Sequence, residues 1–324
     1  MCVQNWQPMV RYYAKKGGKL LELEQPEHGC WVNITPPYNT EELEEAAQYF
    51  EVPLDFITDS LDVDERSRYE VEDDARLILV NTPVPNEKKG EDDAIYITVP
   101  IGIILAPDAV ITVTSSRDNP VLQRFLEDKI KNFDPSDETL FILQILEHNV
   151  YRFLTYLKKL DLKRNLIEQE LYHSSKNREL KQLLSIEKSL VYFVNSLNAN
   201  DLLKLKIKRT DFLSIREDEE KTDLFEDIII DNGQALDMAN VYSNILSGTM
   251  DTYASIISNN MNVTIHRLTL VTIFIAVPTL VTSFFGMNVP LPFSGSRFAI
   301  LFIFIFSSLV SLLIAWYFQR KRLF

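Results

Sequence analysis

Residues 268–288 read LTLVTIFIAVPTLVTSFFGMN. The first 18 of them, Leu268 to Phe285, carry no charge. At about 1.5 Å per residue a helix of that length covers roughly 27 Å, close to the depth of a bilayer's hydrocarbon core. A second uncharged run, FAILFIFIFSSLVSLLIAWYF, covers 21 residues from Phe298 to Phe318. Helices of soluble cores seldom stay uncharged on every face, so the two runs predict a pair of transmembrane helices. Between them lies a short loop rich in turn formers (Gly286, Asn288, Pro290, Pro292, Gly295), whose single charge is Arg297. Trp316 and Tyr317 stand where interfacial anchors belong.

Charge divides the 324-residue chain at the same place. From Leu268 onward there is no Asp or Glu, whereas 46 acidic and 29 basic residues precede it. An acidic front part repels nucleic acid and attracts cations. Arg267 flanks the first span on its N-terminal side, and Arg320, Lys321 and Arg322 follow the second. Only Arg297 lies between the spans, so the basic residues predict both termini in the cytoplasm and the short loop outside. Two cysteines, Cys2 and Cys30, make no disulfide framework. The N-terminal MCVQNWQPMVRYYAKKGG has no apolar core of a signal peptide, so the front part is expected to stay cytosolic.

Residues 1–118 read as an α/β domain. VRYYA, KLLELE and CWVNIT have strand character, with Gly17-Gly18 as a turn. Asn39 with Glu42 three residues on gives a capping-box pattern at the start of NTEELEEAAQYF. ARLILVN, AIYITVP, IGIILAP and AVITVTS follow as four further strands. No phosphate-binding glycine loop, dinucleotide fingerprint or nucleophile elbow is present, and the four histidines form no acid/base cluster. The sequence therefore points to neither a nucleotide partner nor an enzyme. The pattern turns helical at NPVLQRFLEDKIKNF, and apolar residues at three- and four-residue spacing predict a long antiparallel helical hairpin over 119–220.

From about Lys221 the helical pattern runs through a stalk (221–267) into the first span (268–285), a single helix of about 60 residues. The second span covers 298–318, and 319–324 form a basic tail. Steps of four and three along the long helix pick out Asp251, Ser255, Ser258, Asn262, Ile265, Thr269, Thr272, Ala276, Thr279 and Ser283. Nine of these ten are small or polar. Such a stripe suits a close helix–helix interface. It suits equally a water-filled pore, which two spans cannot enclose without an oligomer. Periodicity leaves both readings open.

At Gly286-Met287-Asn288, directly after the first of two C-terminal spans, the sequence resembles the CorA family of divalent-cation channels. The likeness covers nearly the whole chain. It implies a funnel-shaped homopentamer carrying Mg²⁺, and also Co²⁺ or Ni²⁺, with the first spans lining the pore and the second forming an outer ring. Gly286, Met287 and Asn288 would then form the selectivity filter at the outer mouth, with Gly286 also turning the chain at the helix end. Asn262, Ile265, Leu268, Thr272, Ala276 and Thr279 would line the pore, with Ile265 and Leu268 at a hydrophobic constriction. Ala276 falls where relatives often have methionine, which implies a wider inner pore.

The resemblance also implies regulatory Mg²⁺ held between neighbouring subunits by Asp251 and Asp227, with Glu91, Asp92 and Asp93 as candidate partners from the α/β domain. The outer loop departs from the commoner pattern in lacking acidic residues. The branch linked to Zn²⁺ transport, resembling ZntB, is the alternative within the family. A membrane-anchored, non-conducting sensor is the alternative outside it.

Overall fold

The computed structural model describes residues 10–87, 90, 93–173, 177–287 and 298–320. It divides into two units, Met1–Gly248 and Thr249–Phe324. The first is built on a seven-stranded sheet of β1 (Val10–Lys16), β2 (Lys19–Leu23), β3 (Cys30–Ile34), β4 (Arg68–Glu72), β5 (Ala75–Pro85), β6 (Tyr96–Ala106) and β7 (Ala109–Thr114). Their spatial order is β2-β1-β3-β7-β6-β5-β4. Only β3 and β7 pair in parallel, Cys30 opposite Ala109. Helices α1 (Thr40–Tyr49) and α2 (Leu54–Asp59) cover one face, and α4 (Glu138–His173) and α5 (Asn177–Thr210) the other.

Cover on both faces explains why the central strands read as unbroken apolar runs. Val32, Leu77, Leu79, Ile104 and Ile111 pack with Leu43, Ala47, Phe56 and Ile57 of α1 and α2. Trp31, Ile78, Val80, Ile101 and Ile103 pack with Phe141, Ile142 and Ile145 of α4 and Leu203 and Ile207 of α5. The Trp31 ring lies 5.2–6.3 Å from those of Tyr13, Phe125, Phe133 and Phe141. Its indole N–H donates to Thr112 Oγ1 at 2.7 Å, so this large buried ring leaves no polar atom without a partner.

Helix α2 was not expected, and three further elements differ from the sequence expectation, each for a local reason. AIYITVP and IGIILAP are one strand, β6, running straight through Pro100. Pro100 lies one residue beyond Ile101, the last β6 residue that pairs with β7, so its missing N–H costs no ladder bond. Opposite Pro100 stands Asn81, two residues past the end of β4's pairing at Leu79. Helix amides serve Asn81 there instead. The Asn81 N–H donates to Asn200 Oδ1 at 3.0 Å, and its carbonyl accepts from Asn149 Nδ2 at 3.0 Å and Asn200 Nδ2 at 2.8 Å.

The edge strand β4, RYEVE, was not expected, because its charged residues mask its strand character while protecting the edge. NPVLQRFLEDKIKNF forms only the short α3 (Leu122–Leu126). Asn119 Oδ1 accepts from Val121 N at its start, and Asp128 and Asn132 take positive φ soon after its end. Asn39 caps α1 as its spacing suggested, its side chain accepting from Glu41 N at 3.2 Å.

Helix α6 (Glu219–Phe285) is 67 residues long. Asp218 Oδ1 accepts from Lys221 N at its start, and Glu219 and Glu220 add negative charge to the first turn, where the helix dipole favours it. Phe225 and Ile228 anchor its beginning in the α4-side core. The second unit contains the remainder of α6 and α7 (Ala299–Arg320).

Candidate functional site

Along α6 burial follows a line that avoids the polar stripe. Leu270, Ile273, Val277 and Val281 are partly buried, at helical spacing. Every member of the stripe, from Asp251 to Ser283, is exposed. On α7 the buried positions among the described residues are Ser307 and Ser311, spaced four apart, which is the small-residue spacing that lets helices approach closely. The faces covered within this unit are therefore not the face of the stripe. Val271, Phe274, Ile275, Leu280 and Phe284 complete an exposed apolar belt, and the most apolar 18-residue stretch of α6 has no buried residue. That stretch is long and apolar enough to cross a membrane. In α7 the described apolar stretch runs from Leu301 to Tyr317.

Four of the six hydroxyls of the stripe share one geometry. Ser255, Thr269, Thr272 and Thr279 each donate to the carbonyl four residues earlier, on Asp251, Ile265, Leu268 and Ile275, at 2.8–3.1 Å. With the proton committed to the helix, each oxygen turns only lone pairs outward. These four oxygens offer acceptors to cations or to the hydrogens of their water shells. Ile265 and Leu268 are exposed apolar residues at the start of this stretch, and Asn262 and Ala276 lie exposed on the same stripe.

At the end of α6, Gly286 N donates to Thr282 O at 2.9 Å and Ser283 O at 3.2 Å, closing the last turn. Gly286 does not adopt the left-handed φ expected of a turning glycine, unlike Gly17, Gly18 and Gly29. The helix end runs out through ordinary turn bonds, so a left-handed cap is not what calls for glycine there. A Cβ at this position would meet Thr282 O at 3.4 Å. Met287 is exposed, and Asn288 and Arg297 lie outside the described residues.

Of the candidate regulatory carboxylates, Asp227 and Asp251 are both exposed on α6. Asp93 Oδ2 accepts from Gly90 N at 2.8 Å, and Glu91 and Asp92 lie outside the described residues. Among the described residues no three His, Cys, Asp or Glu side chains converge on a possible metal position within one chain.

The sequence reading overlooked a buried polar joint between α5 and α6. Lys204 is fully buried, and its Nζ donates to Asn232 Oδ1 at 2.8 Å. Asn232, also fully buried, donates to Leu197 O at 3.1 Å and Asp201 Oδ1 at 3.3 Å. Burial pushes the Lys204 ammonium down to about 7, against a smaller upward pull from Asp201. A signal was present, since Lys204 continues the buried line Leu197, Asn200, Lys204, Ile207 at helical spacing.

An α/β domain is continued by a long helix into an apolar, hydroxyl-striped stretch long enough to cross a membrane. Residues 26–321 match the model of the family described as CorA-like Mg²⁺ transporter protein. The chain belongs to that family, whose members are transporters of divalent cations and not enzymes. The cobalt/magnesium transport protein CorA of Methanocaldococcus jannaschii is 27% identical over 262 residues, 80% of this chain and 79% of that protein. The complete structure of the CorA magnesium transporter from the same organism is similar over 97% of this chain and 98% of its own, with TM-score 0.77 and 22% identity. The cytoplasmic domain of ZntB from Vibrio parahaemolyticus is similar in fold over 77% of this chain and 98% of its own, with TM-score 0.57 and 13% identity.

Proposed function

We propose that this chain forms a homopentamer in the membrane and conducts Mg²⁺ into the cell down the membrane potential. Five copies of the α6 stripe would face a common axis, α7 would lie outside them, and both termini would be cytoplasmic. The observation that carries this reading is the exposed small and polar stripe on α6, whose Thr269, Thr272 and Thr279 oxygens turn lone pairs outward, set on a different face from the one buried within the chain.

The chemistry of the ion fits. Mg²⁺ dehydrates reluctantly, so a selective mouth can hold the hydrated ion through neutral oxygens instead of stripping it. Five Asn288 amides with the backbone carbonyls of Gly286 and Met287 supply such oxygens. Below them Thr279, Thr272 and Asn262 continue the polar path. Ile265 and Leu268 form rings that close by dewetting, and Ala276 leaves the inner pore wide. The relative from M. jannaschii is named for both cobalt and magnesium, which supports Co²⁺ beside Mg²⁺ as cargo.

Reconstitution in liposomes with an interior Mg²⁺ dye tests the reading. Wild type should admit Mg²⁺ under an inside-negative potential, and Asn288→Ala should lose most of that flux or its selectivity. No flux from wild type at any voltage or internal Mg²⁺ would overturn the channel and favour a non-conducting sensor. Parallel arms with Co²⁺, Ni²⁺ and Zn²⁺ rank the cargo. Zn²⁺ entry exceeding Mg²⁺ entry would move the chain to the ZntB-like reading.

A further inference from the structure

Helix α6 is seated on α5 partly through a buried lysine. Among the described residues the hydrogen bond to Asn232 Oδ1 is the only one that the Lys204 side chain makes. An ammonium carries three donors, so a charged Lys204 would leave two of them unmet in a site closed to water. The neutral amine leaves only one N–H unmet beside the Asn232 acceptor and carries no charge to bury. Removing the proton and seating the helix therefore favour each other.

Of the charged groups around the joint Asp201 alone pulls on Lys204, and more weakly than burial pushes. On α5, Asp201 acts on Lys204, but it is partly exposed and also accepts from Asn232. On α6, Asp227 and Asp231 are exposed, and Glu226 is held by Lys208 at 2.7 Å. Helix α4 contributes Ile142, Ile145 and Leu146 to the adjoining core, while its His148 bonds to Gln144 O and lies against the Phe125 ring. On β4, Tyr69 carries the Lys206 ammonium over its ring at 4.6 Å.

We propose that the Lys204–Asn232 joint makes the seating of α6 on α5 proton-sensitive, so that acidification loosens this contact and alkalinity tightens it. The sign follows from burial. The seated lysine holds its proton less tightly than a solvated one, so unseating takes up a proton and is promoted as pH falls through the range between the two affinities. Below about pH 6 both forms are protonated and the effect levels off. Because α6 also carries the polar stripe, the joint would give transport a pH response. That extension rests on the channel reading, whereas the joint itself is tested without it.

Hydrogen–deuterium exchange of the full-length protein, followed by mass spectrometry and corrected for intrinsic rates, reads the joint directly. Wild-type opening of Ile228–Ala239 should rise several-fold for each unit between pH 8.5 and 7, then flatten below about pH 6. Lys204→Met should give a flat profile with protection at least equal to wild type at pH 8.5. Asn232→Asp places a carboxylate beside the ammonium, and should keep α6 protected down to pH 6. A flat wild-type profile would overturn the proposal. So would a wild-type slope persisting in Lys204→Met or, where that variant does not fold, in Asn232→Asp. Liposome flux plays no part in this measurement, so a failed joint and a failed channel remain distinguishable.

Discussion

Gly102 sits in the middle of β6 with the side chain of Ser60 against it. A Cβ at Gly102 would lie 1.8 Å from Ser60 Oγ and 2.5 Å from Ser60 Cβ. Ser60 cannot simply turn away, because it is fully buried at the end of α2 and its hydroxyl donates to Phe56 O at 2.6 Å. Gly102→Ala must therefore push α2 off the sheet, which overpacking data put at about 1–3 kcal/mol. The expected result is an unfolding temperature several degrees lower in detergent, with partial recovery in Gly102→Ala/Ser60→Gly. An unchanged unfolding temperature in the single variant would show that α2 yields freely. The sequence could not show this contact, since a lone glycine in a strand pattern reads equally as a weak point or a close approach. Asn39 was legible because a cap depends on neighbours two or three residues away. Asn81, Asn149 and Asn200 were not, because the bonds that join them span 68 and 119 residues.

Among the elements, α6 was the most legible, because periodicity over 67 residues accumulates evidence that a short segment cannot. Strand β4 and helix α3, five residues each, lacked that advantage and were misread or missed. The stripe itself was visible as spacing, but spacing could not say which face of α6 the rest of the chain covers. The burial line through Leu270, Ile273, Val277 and Val281 supplies that missing information. It also sharpens a test. If Thr272 serves as an acceptor whose proton is tied to Leu268 O, its oxygen matters and its methyl does not. Thr272→Val keeps the shape and removes the oxygen, so Mg²⁺ flux in liposomes should fall several-fold. Thr272→Ser restores the oxygen and should conduct near wild type. Equal flux through both variants would take Thr272 out of the conduction path.

At the scale of the whole molecule, acidity and the lack of a one-chain metal cluster among the described residues belong together. Forty-six carboxylates precede the first span, yet among the described residues no three potential ligands converge within a chain. Mg²⁺ keeps most of its waters and needs only one or two carboxylates, so a regulatory site can be shared between subunits without a preformed cage. Two carboxylates about 5 Å apart across a partly wet interface repel by roughly 3 kcal/mol, and a bound dication reverses that sign. Repeated around the proposed homopentamer, this would be enough to make closure depend on cytosolic Mg²⁺. Asp251, exposed on α6, is the first candidate and Asp227 the second. Asp251→Lys puts a positive charge where the ion would sit. It should raise the internal Mg²⁺ needed for half-closure by severalfold while leaving maximal flux intact, because no residue of the mouth is touched. Asp227→Lys, measured beside it, separates the two positions. A closure curve unchanged in Asp251→Lys removes that residue from the sensor, and unchanged curves in both place the sensing carboxylates elsewhere on the acidic domain.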